Sequence, residues 1–172
     1  MSVQTIEATA SMFAAEAGEL EIGAEHLSRG RTVTEADLVA FASQTGDWHP
    51  QHTDSEWAAR SRFGGRIAHG MLVLSWAVGL VPFDPDRVVA LRGLDSVTFK
   101  RPVPVGDTIR VRTRVEGVRR LDGGHSLVQL GWRVLNQRDQ VVLRARVEVL
   151  WRGSGDEPLP DPDDLYEGQV LL

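Results

Sequence analysis

The second half of the chain alternates apolar and polar residues, and this pattern constrains the fold most. In the segment DTIRVRTRVEGVRRL, Ile109, Val111 and Val115 fall on one face, and Arg110 and Arg112 fall on the other. A period of two is typical of a strand with one buried face. Three more segments share the pattern: RVVALRGLDSVTFKRPV, HSLVQLGWRVLNQRDQ and VVLRARVEVLWRG. Turn-forming residues at 122–124 and 136–139 separate the last three segments, so we predict at least four antiparallel strands joined partly by hairpins.

The first half has helical signals instead. Thr34 and Asp37 form a capping pattern before a helical apolar spacing, and Gly46 is a plausible stop. A second helix is predicted within residues 52–65, begun by Thr53 or Asp54. A third, over residues 68–80, is apolar on nearly every face and should therefore be buried. Because an antiparallel sheet must cover one face, we predict an α+β fold in which the sheet wraps around this third helix.

Bulk composition narrows the class of protein. The chain has 172 residues, is 42% hydrophobic, has a formal net charge of -5 and contains no cysteine. Disulfide and thiolate chemistry are therefore excluded, and neither nucleic acid nor an anionic membrane is an expected partner. The N-terminal sequence lacks the pattern of a signal peptide, and the longest apolar run, residues 71–83, is too short to cross a bilayer. We expect a soluble, cytoplasmic protein.

We divide the chain into an N-terminal extension over residues 1–29, one domain over residues 30–152 and a tail over residues 153–172. The tail is rich in proline, glycine and acidic residues. No internal repeat is visible, so a single globular domain is the expected organisation.

One short stretch, TGDWHPQHTD at residues 45–54, carries most of the polar chemistry. Asp47, His49 and His52, with His69 further on, are residue types that bind metal ions. Pro50 breaks the helical register between the two histidines, and no His-Glu-x-x-His pattern is present, so a metal site is disfavoured. Two interpretations stay open from the residues alone: an ordinary turn between helices, and an acid–base pair of Asp47 and His52 facing one cavity.

This stretch belongs to a larger resemblance. The blocks Gly46-Asp47-Trp48-His49-Pro50-Gln51-His52 and Ile67-Ala68-His69-Gly70-Met71 resemble the hydratase motif of MaoC-like, (R)-specific enoyl-CoA hydratases and dehydratases. The similarity extends over about residues 30–152. It implies the hot-dog fold, a curved antiparallel sheet wrapped around a long central helix, usually assembled as a homodimer or a dimer of dimers.

The resemblance also implies an activity and its residues. Such enzymes reversibly add water to a trans-2-enoyl thioester to give the (R)-3-hydroxyacyl thioester. Asp47 and His52 correspond to the catalytic pair, and Gly70 to the glycine whose amide binds the thioester oxygen, with His69 and Met71 beside it. No metal or redox cofactor is implied, because coenzyme A or the phosphopantetheine of an acyl carrier belongs to the substrate.

Two positions depart from the family pattern. His49 replaces an asparagine that usually braces the loop, so we expect His49 either to brace it as a hydrogen-bond donor or to alter the pocket. A serine that is thought to support the aspartate falls near Val78, and Ser75 is a weak substitute. His69 is expected to brace the start of the central helix rather than to transfer protons.

Four basic residues flank the predicted site, and we expect them to contact the phosphates of the carrier: Arg62, Arg66, Lys100 and Arg101. Two alternatives to the hydratase remain. One is a thioesterase on the same fold, and the other is a subunit that binds acyl thioesters without catalysis.

Overall fold

The computed structural model describes residues 12–153, which contain one six-stranded sheet. Its main path runs in the order β1-β4-β5-β6-β3, β2 pairs with β4 beside it, and every pairing is antiparallel. The prediction of at least four antiparallel strands is therefore confirmed. The strands are β1 Glu25–Leu27, β2 Arg31–Thr32, β3 Val88–Phe99, β4 Thr108–Arg120, β5 Ser126–Leu135 and β6 Val141–Trp151.

Besides the helical residues 12–14, the described part of the chain contains α1 Glu35–Thr45, α2 Pro50–Thr53, α3 Ser55–Arg60 and α4 Gly70–Leu80. Short 3-10 turns cover Ala17–Glu19 and Asp122–Gly124. Thr34 and Asp37 form the predicted capping box at the start of α1, and Gly46 ends that helix in the left-handed conformation at φ 75°. Asp54 caps α3 by accepting a hydrogen bond from the amide of Trp57 at 2.9 Å. These local signals fix where each helix begins, and so they fix the loop between α1 and α2.

The core forms where α4 packs against the inner face of the sheet. Leu72, Val73 and Ala77 of α4 are buried in one cluster with inner-face residues such as Val111 and Val147. Burying a side chain of this size stabilises the fold by about 1.5–3 kcal/mol relative to leaving it exposed. The helix is therefore held in place chiefly by apolar contacts with the sheet.

Helix α4 differs from the prediction in length and in exposure. It begins at Gly70 rather than at Ala68, and it has 11 residues. Met71, Ser75 and Gly79 form an exposed stripe along one side. The run of apolar residues predicted burial on every face, but only the faces that meet the sheet and its neighbours are buried.

The predicted boundary between residues 29 and 30 does not mark the edge of the folded unit. Strand β1 pairs with β4 through Glu25, His26 and Leu27, and Phe13 is buried in the core cluster. A strand of three residues is too short for its alternation to be recognised in the sequence. Of the predicted tail, only Gly153 belongs to the described residues.

No helix within residues 12–153 combines the length and the apolar character that crossing a membrane requires.

Candidate active site

The loop after α1 holds the first polar group of the site, the carboxylate of Asp47. The Asp47 amide donates to the Thr45 hydroxyl at 3.3 Å, and Asp47 Oδ1 accepts from the amide of His49 at 3.3 Å. The side chain is therefore oriented by the main chain of its own turn. The short helix α2 begins three residues after Asp47 with Pro50, which is well suited to a first helical position.

His49 braces this turn, but as an acceptor and not as the donor that the sequence suggested. Its Nδ1 accepts a hydrogen bond from the amide of Gln51 at 3.2 Å and so caps α2. Asparagine is a favoured residue at helix starts for the same reason, since its side-chain oxygen accepts from the first turn. The replacement of the family asparagine by His49 therefore preserves the cap. The ring also packs edge-on against Trp57, with centroids 5.6 Å apart.

His52 is held in a defined tautomer. Its Nδ1 lies 2.7 Å from the carbonyl oxygen of Ile67. Because a carbonyl only accepts, Nδ1 carries the proton, and Nε2 of the neutral ring is left as an acceptor. Burial lowers the pKa of His52 below its ordinary value, the bond to Ile67 partly opposes this, and the neighbouring His69 lowers the pKa further. His52 therefore stays neutral to a lower pH than an exposed histidine.

His69 forms a second bond between the two motif blocks. Its Nε2 donates to the carbonyl oxygen of Asp47 at 3.0 Å, and its ring is stacked on that of His52 with centroids 3.8 Å apart. The residue is only 2% exposed. This geometry fits the bracing role that the sequence favoured. The bond joins the start of α4 to the loop that carries Asp47.

A cavity of about 540 Å³ opens in front of these residues. One side-chain ligand atom from each of Asp47, His52 and His69 lies within 4.8 Å of the other two. The wall opposite is mostly apolar, and sequence analysis did not assign most of it to the site: Phe41, Phe63, Ile67, Val73, Phe99, Val103 and Val142. Such residues look like ordinary core positions in a sequence, and only the tertiary fold brings them to one cavity.

Gly70 lies at the cavity wall as the first residue of α4. The first amides of a helix have no partner inside the helix, and the side chain of His69 does not cap this one. Within the described part of the chain, the Gly70 amide donates no hydrogen bond. A Cβ atom at this position would lie 2.8–3.0 Å from the ring of Phe99. The absence of a side chain thus lets α4 and Phe99 approach each other.

The remaining predicted residues divide between the cavity and its surroundings. Met71, Arg62, Lys100 and Arg101 line the cavity. Arg66 does not, because its guanidinium is paired with the carboxylate of Glu35.

Neither of the two positions considered for a residue that supports Asp47, Val78 and Ser75, reaches its carboxylate. Val78 packs against the core cluster. The hydroxyl of Ser75 donates to the carbonyl of Met71 at 2.8 Å within its own helix. The main-chain amide of His49 supports the Asp47 carboxylate instead.

The trio of Asp47, His52 and His69 has the residue types of a metal site, but its geometry fits one poorly. One nitrogen of each ring already donates to a carbonyl. The two rings are stacked with only 26° between their planes. Since the lone pair of an imidazole nitrogen lies in the ring plane, stacked rings do not direct both lone pairs to one point.

Taken together, the fold and the site define a class of protein: an antiparallel sheet packed on a helix whose first residue lines a mostly apolar cavity together with a carboxylate and an imidazole. The model of the MaoC like domain matches residues 4–136 of this chain. The chain therefore belongs to the MaoC-like family.

Known relatives agree with this assignment. The chain is 35% identical over 130 residues to 3-hydroxyacyl-thioester dehydratase Z of Mycobacterium tuberculosis. The aligned region covers 71% of this chain and 80% of that protein. It is 43% identical over 95 residues to Protein MaoC of Klebsiella aerogenes, covering 55% of this chain but only 28% of that protein.

Solved structures identify the fold of this chain. The monoamine oxidase regulatory protein of Archaeoglobus fulgidus superposes with a TM-score of 0.77 at 38% identity, covering 82% of this chain and 96% of that one. A Mycobacterium tuberculosis protein with a double hot-dog fold gives a TM-score of 0.73 at 25% identity, covering 86% of this chain and 46% of that one. The predicted hot-dog fold is confirmed.

The cap at His49 leads to a prediction that separates its two contacts. Replacing His49 with alanine removes the acceptor for Gln51, and we expect the free energy of unfolding in urea to fall by about 1 kcal/mol. His49→Asn restores an acceptor without restoring the ring, so most of that loss should be recovered. An equal loss in both variants would mean that the contact with Trp57, and not the cap, carries the stabilisation.

Proposed function

We propose that this protein is a hydratase and dehydratase that interconverts a trans-2-enoyl thioester and its (R)-3-hydroxyacyl thioester. One observation carries the proposal: the carboxylate of Asp47 and the free Nε2 of His52 share a cavity with the unpaired amide of Gly70. The hydratase and dehydratase relatives support the same class of lyase, and the configuration of the product follows from the family resemblance.

In this proposal the amide of Gly70 binds the thioester carbonyl oxygen. Adding water to the double bond places negative charge on that oxygen as an enolate-like state develops. A free amide at the start of α4 stabilises such a charge, and the positive end of the helix dipole adds to the effect. Polarisation of the carbonyl makes the β-carbon electrophilic.

Asp47 and His52 would then handle the water. The water oxygen bonds to the β-carbon, and the pair takes up one proton from the water. The α-carbon takes one proton from the pair, so the pair returns to its starting state. Dehydration is the same sequence in reverse. Nε2 of His52 can accept from the water only because Nδ1 donates to the carbonyl of Ile67.

The rest of the cavity suits an acyl thioester. The apolar wall accommodates the acyl chain, since ligand cavities are mostly apolar with a few placed polar groups. Arg62, Lys100 and Arg101 line the same cavity and are the proposed contacts for the phosphates of the carrier. No step requires a metal or a redox cofactor.

We also propose that two chains pair through β3 as a homodimer. Strand β3 is the last strand of the sheet, so one of its edges has no partner strand among the described residues. Leu91, Leu94 and Phe99 on β3 are 43%, 41% and 50% exposed, and Met71 beside the cavity is 55% exposed. A long edge strand with exposed apolar side chains favours pairing with another strand. Pairing through β3 would cover this side of the cavity.

The function is tested by replacing each member of the pair. Asp47→Asn and His52→Gln should each lower kcat for hydration of a short 2-enoyl-CoA by ~10²–10⁴, since this is the usual contribution of an acid–base group. Glu56→Gln removes a neighbouring exposed carboxylate and should leave the rate unchanged. Thiol release is measured in the same reactions. Thiol release faster than hydration in the wild type would instead support a thioesterase, and unchanged hydration in His52→Gln would contradict the mechanism.

The pH dependence follows from the environment of His52. Only the neutral ring offers Nε2 as an acceptor, and its pKa lies below the ordinary value of about 6.5. We therefore expect kcat/KM for hydration to decline at low pH with a midpoint below about 6.5. An NMR titration, with the His52 resonance assigned from His52→Gln, should give the same midpoint. A midpoint at or above 6.5 would contradict this account of the site.

The dimer is tested by changing its exposed edge. Leu94→Asp places a charge on the edge strand and should convert a dimer to a monomer in sedimentation velocity. Ile22→Asp is a matched control, since Ile22 is also an exposed apolar side chain but precedes β1 at the other end of the sheet. A monomeric wild type, or a dimeric Leu94→Asp, would exclude pairing through β3.

A further inference from the structure

The outer face of the sheet carries a row of arginines on three neighbouring strands. Arg112 of β4 is directly opposite Arg133 of β5, and Arg133 is directly opposite Arg144 of β6. Arg133 and Arg144 are exposed, and Arg112 is half-buried. Like charges placed directly opposite each other on neighbouring strands destabilise a sheet. The row therefore costs stability unless an anion neutralises it.

Acidic residues of the described chain pair with only some of the arginines on this face. Arg112 Nε lies 4.0 Å from Glu25, and Arg146 is paired with Asp95 and Glu116 at 3.6 and 3.3 Å. Among the described side chains, which exclude that of Asp122, no carboxylate forms an ion pair with Arg133 or Arg144.

The arginines surround a groove of about 340 Å³ rather than a flat surface. Gly131 lies between Arg114 and Arg146 in the neighbouring row of the sheet. A Cβ atom at Gly131 would collide with the side chain of Glu116. Six basic and two acidic side chains line the groove: Lys100, Arg112, Arg114, Arg133, Arg144 and Arg146, with Glu25 and Glu116. The groove is thus strongly positive in a chain whose net charge is -5.

Lys100 connects this groove to the active site, because it lines both. Phe99 lines the active-site cavity, and its neighbour Thr98 lines the groove on the outer face. Thr98 is directly opposite Arg144. The arginine row therefore begins just behind the edge strand that borders the cavity. An anionic partner in the groove would lie next to the mouth of the cavity.

We propose that this groove docks the acidic surface of a carrier protein that presents the acyl chain on a phosphopantetheine arm. The inference rests on the proposed function and names the carrier of its substrate. Arg62, Lys100 and Arg101 at the cavity are already the proposed contacts for the phosphates of a nucleotide carrier. The arginine row crosses two strand spacings, from β4 to β6, which is about 10 Å. Carboxylates distributed along one helix of a partner protein span such a distance. Pairing through β3 extends the sheet at its edge and leaves this outer face open.

The experiment compares two forms of one substrate. A short 2-enoyl group is attached either to an acyl carrier protein or to coenzyme A, and kcat/KM for hydration is measured for both. Charge reversal in Arg133→Glu/Arg144→Glu should lower kcat/KM about tenfold or more with the carrier protein, mainly through KM, because docking charges set the encounter rate. With the coenzyme A substrate, kcat/KM should stay within about twofold of the wild-type value, because the loss of a charge contact would change it by more. The control Arg29→Glu/Arg119→Glu makes the same change of charge at exposed positions outside the groove and should alter neither reaction.

Several outcomes would overturn the proposal. Equal losses with both substrates would assign the groove to the phosphates of coenzyme A, and no loss with either would exclude docking. Calorimetric binding of the carrier protein without an acyl group, at low and at high salt, tests the groove even if no hydration occurs. Binding that appears only after deletion of residues 154–172 would assign the groove to that acid-rich segment of the same chain.

Discussion

Two crossed histidine hydrogen bonds hold the site together. His52 in the first motif block donates to the carbonyl of Ile67 in the second, and His69 in the second block donates to the carbonyl of Asp47 in the first. Because each bond uses one ring nitrogen, each also fixes which nitrogen of its ring carries the proton. The same two contacts that position the loop against the start of α4 therefore leave Nε2 of His52 free for chemistry. The short spacing of Asp47, His49 and His52 follows from this arrangement.

The sheet supplies the rigidity that these bonds require. Apolar packing fixes α4 against the inner face, and this holds the amide of Gly70 at the wall of the cavity. Phe99 at the end of β3 reaches the same place from the sheet, and only a residue without a side chain fits between it and the helix. Asp47 lies on a loop, His52 on the short helix α2 and Gly70 at the start of α4, and the sheet supports all three.

Local signals predicted more of this protein than long-range ones. The capping box of Thr34 and Asp37 and the alternation of the long strands depend on neighbouring residues, so they were readable in the sequence. The pairing of β1, the ion pair that removes Arg66 from the site and the approach of Phe99 to Gly70 join residues far apart in the chain. The residue type of His49 suggested a donor, and only the geometry shows that its Nδ1 accepts. The sequence motif identified Asp47 and His52, whereas the cavity around them was recognised only in the folded structure.

The central claim is that Gly70, Asp47 and His52 act together on one bound thioester. Its most direct test is a crystal structure with an unreactive analogue of a 2-enoyl thioester. We expect the analogue's carbonyl oxygen at about 2.7–3.1 Å from the amide nitrogen of Gly70. An ordered water should contact both the carboxylate of Asp47 and Nε2 of His52. A carbonyl oxygen bound elsewhere, or an Nε2 of His52 occupied by another group of the protein, would contradict the account.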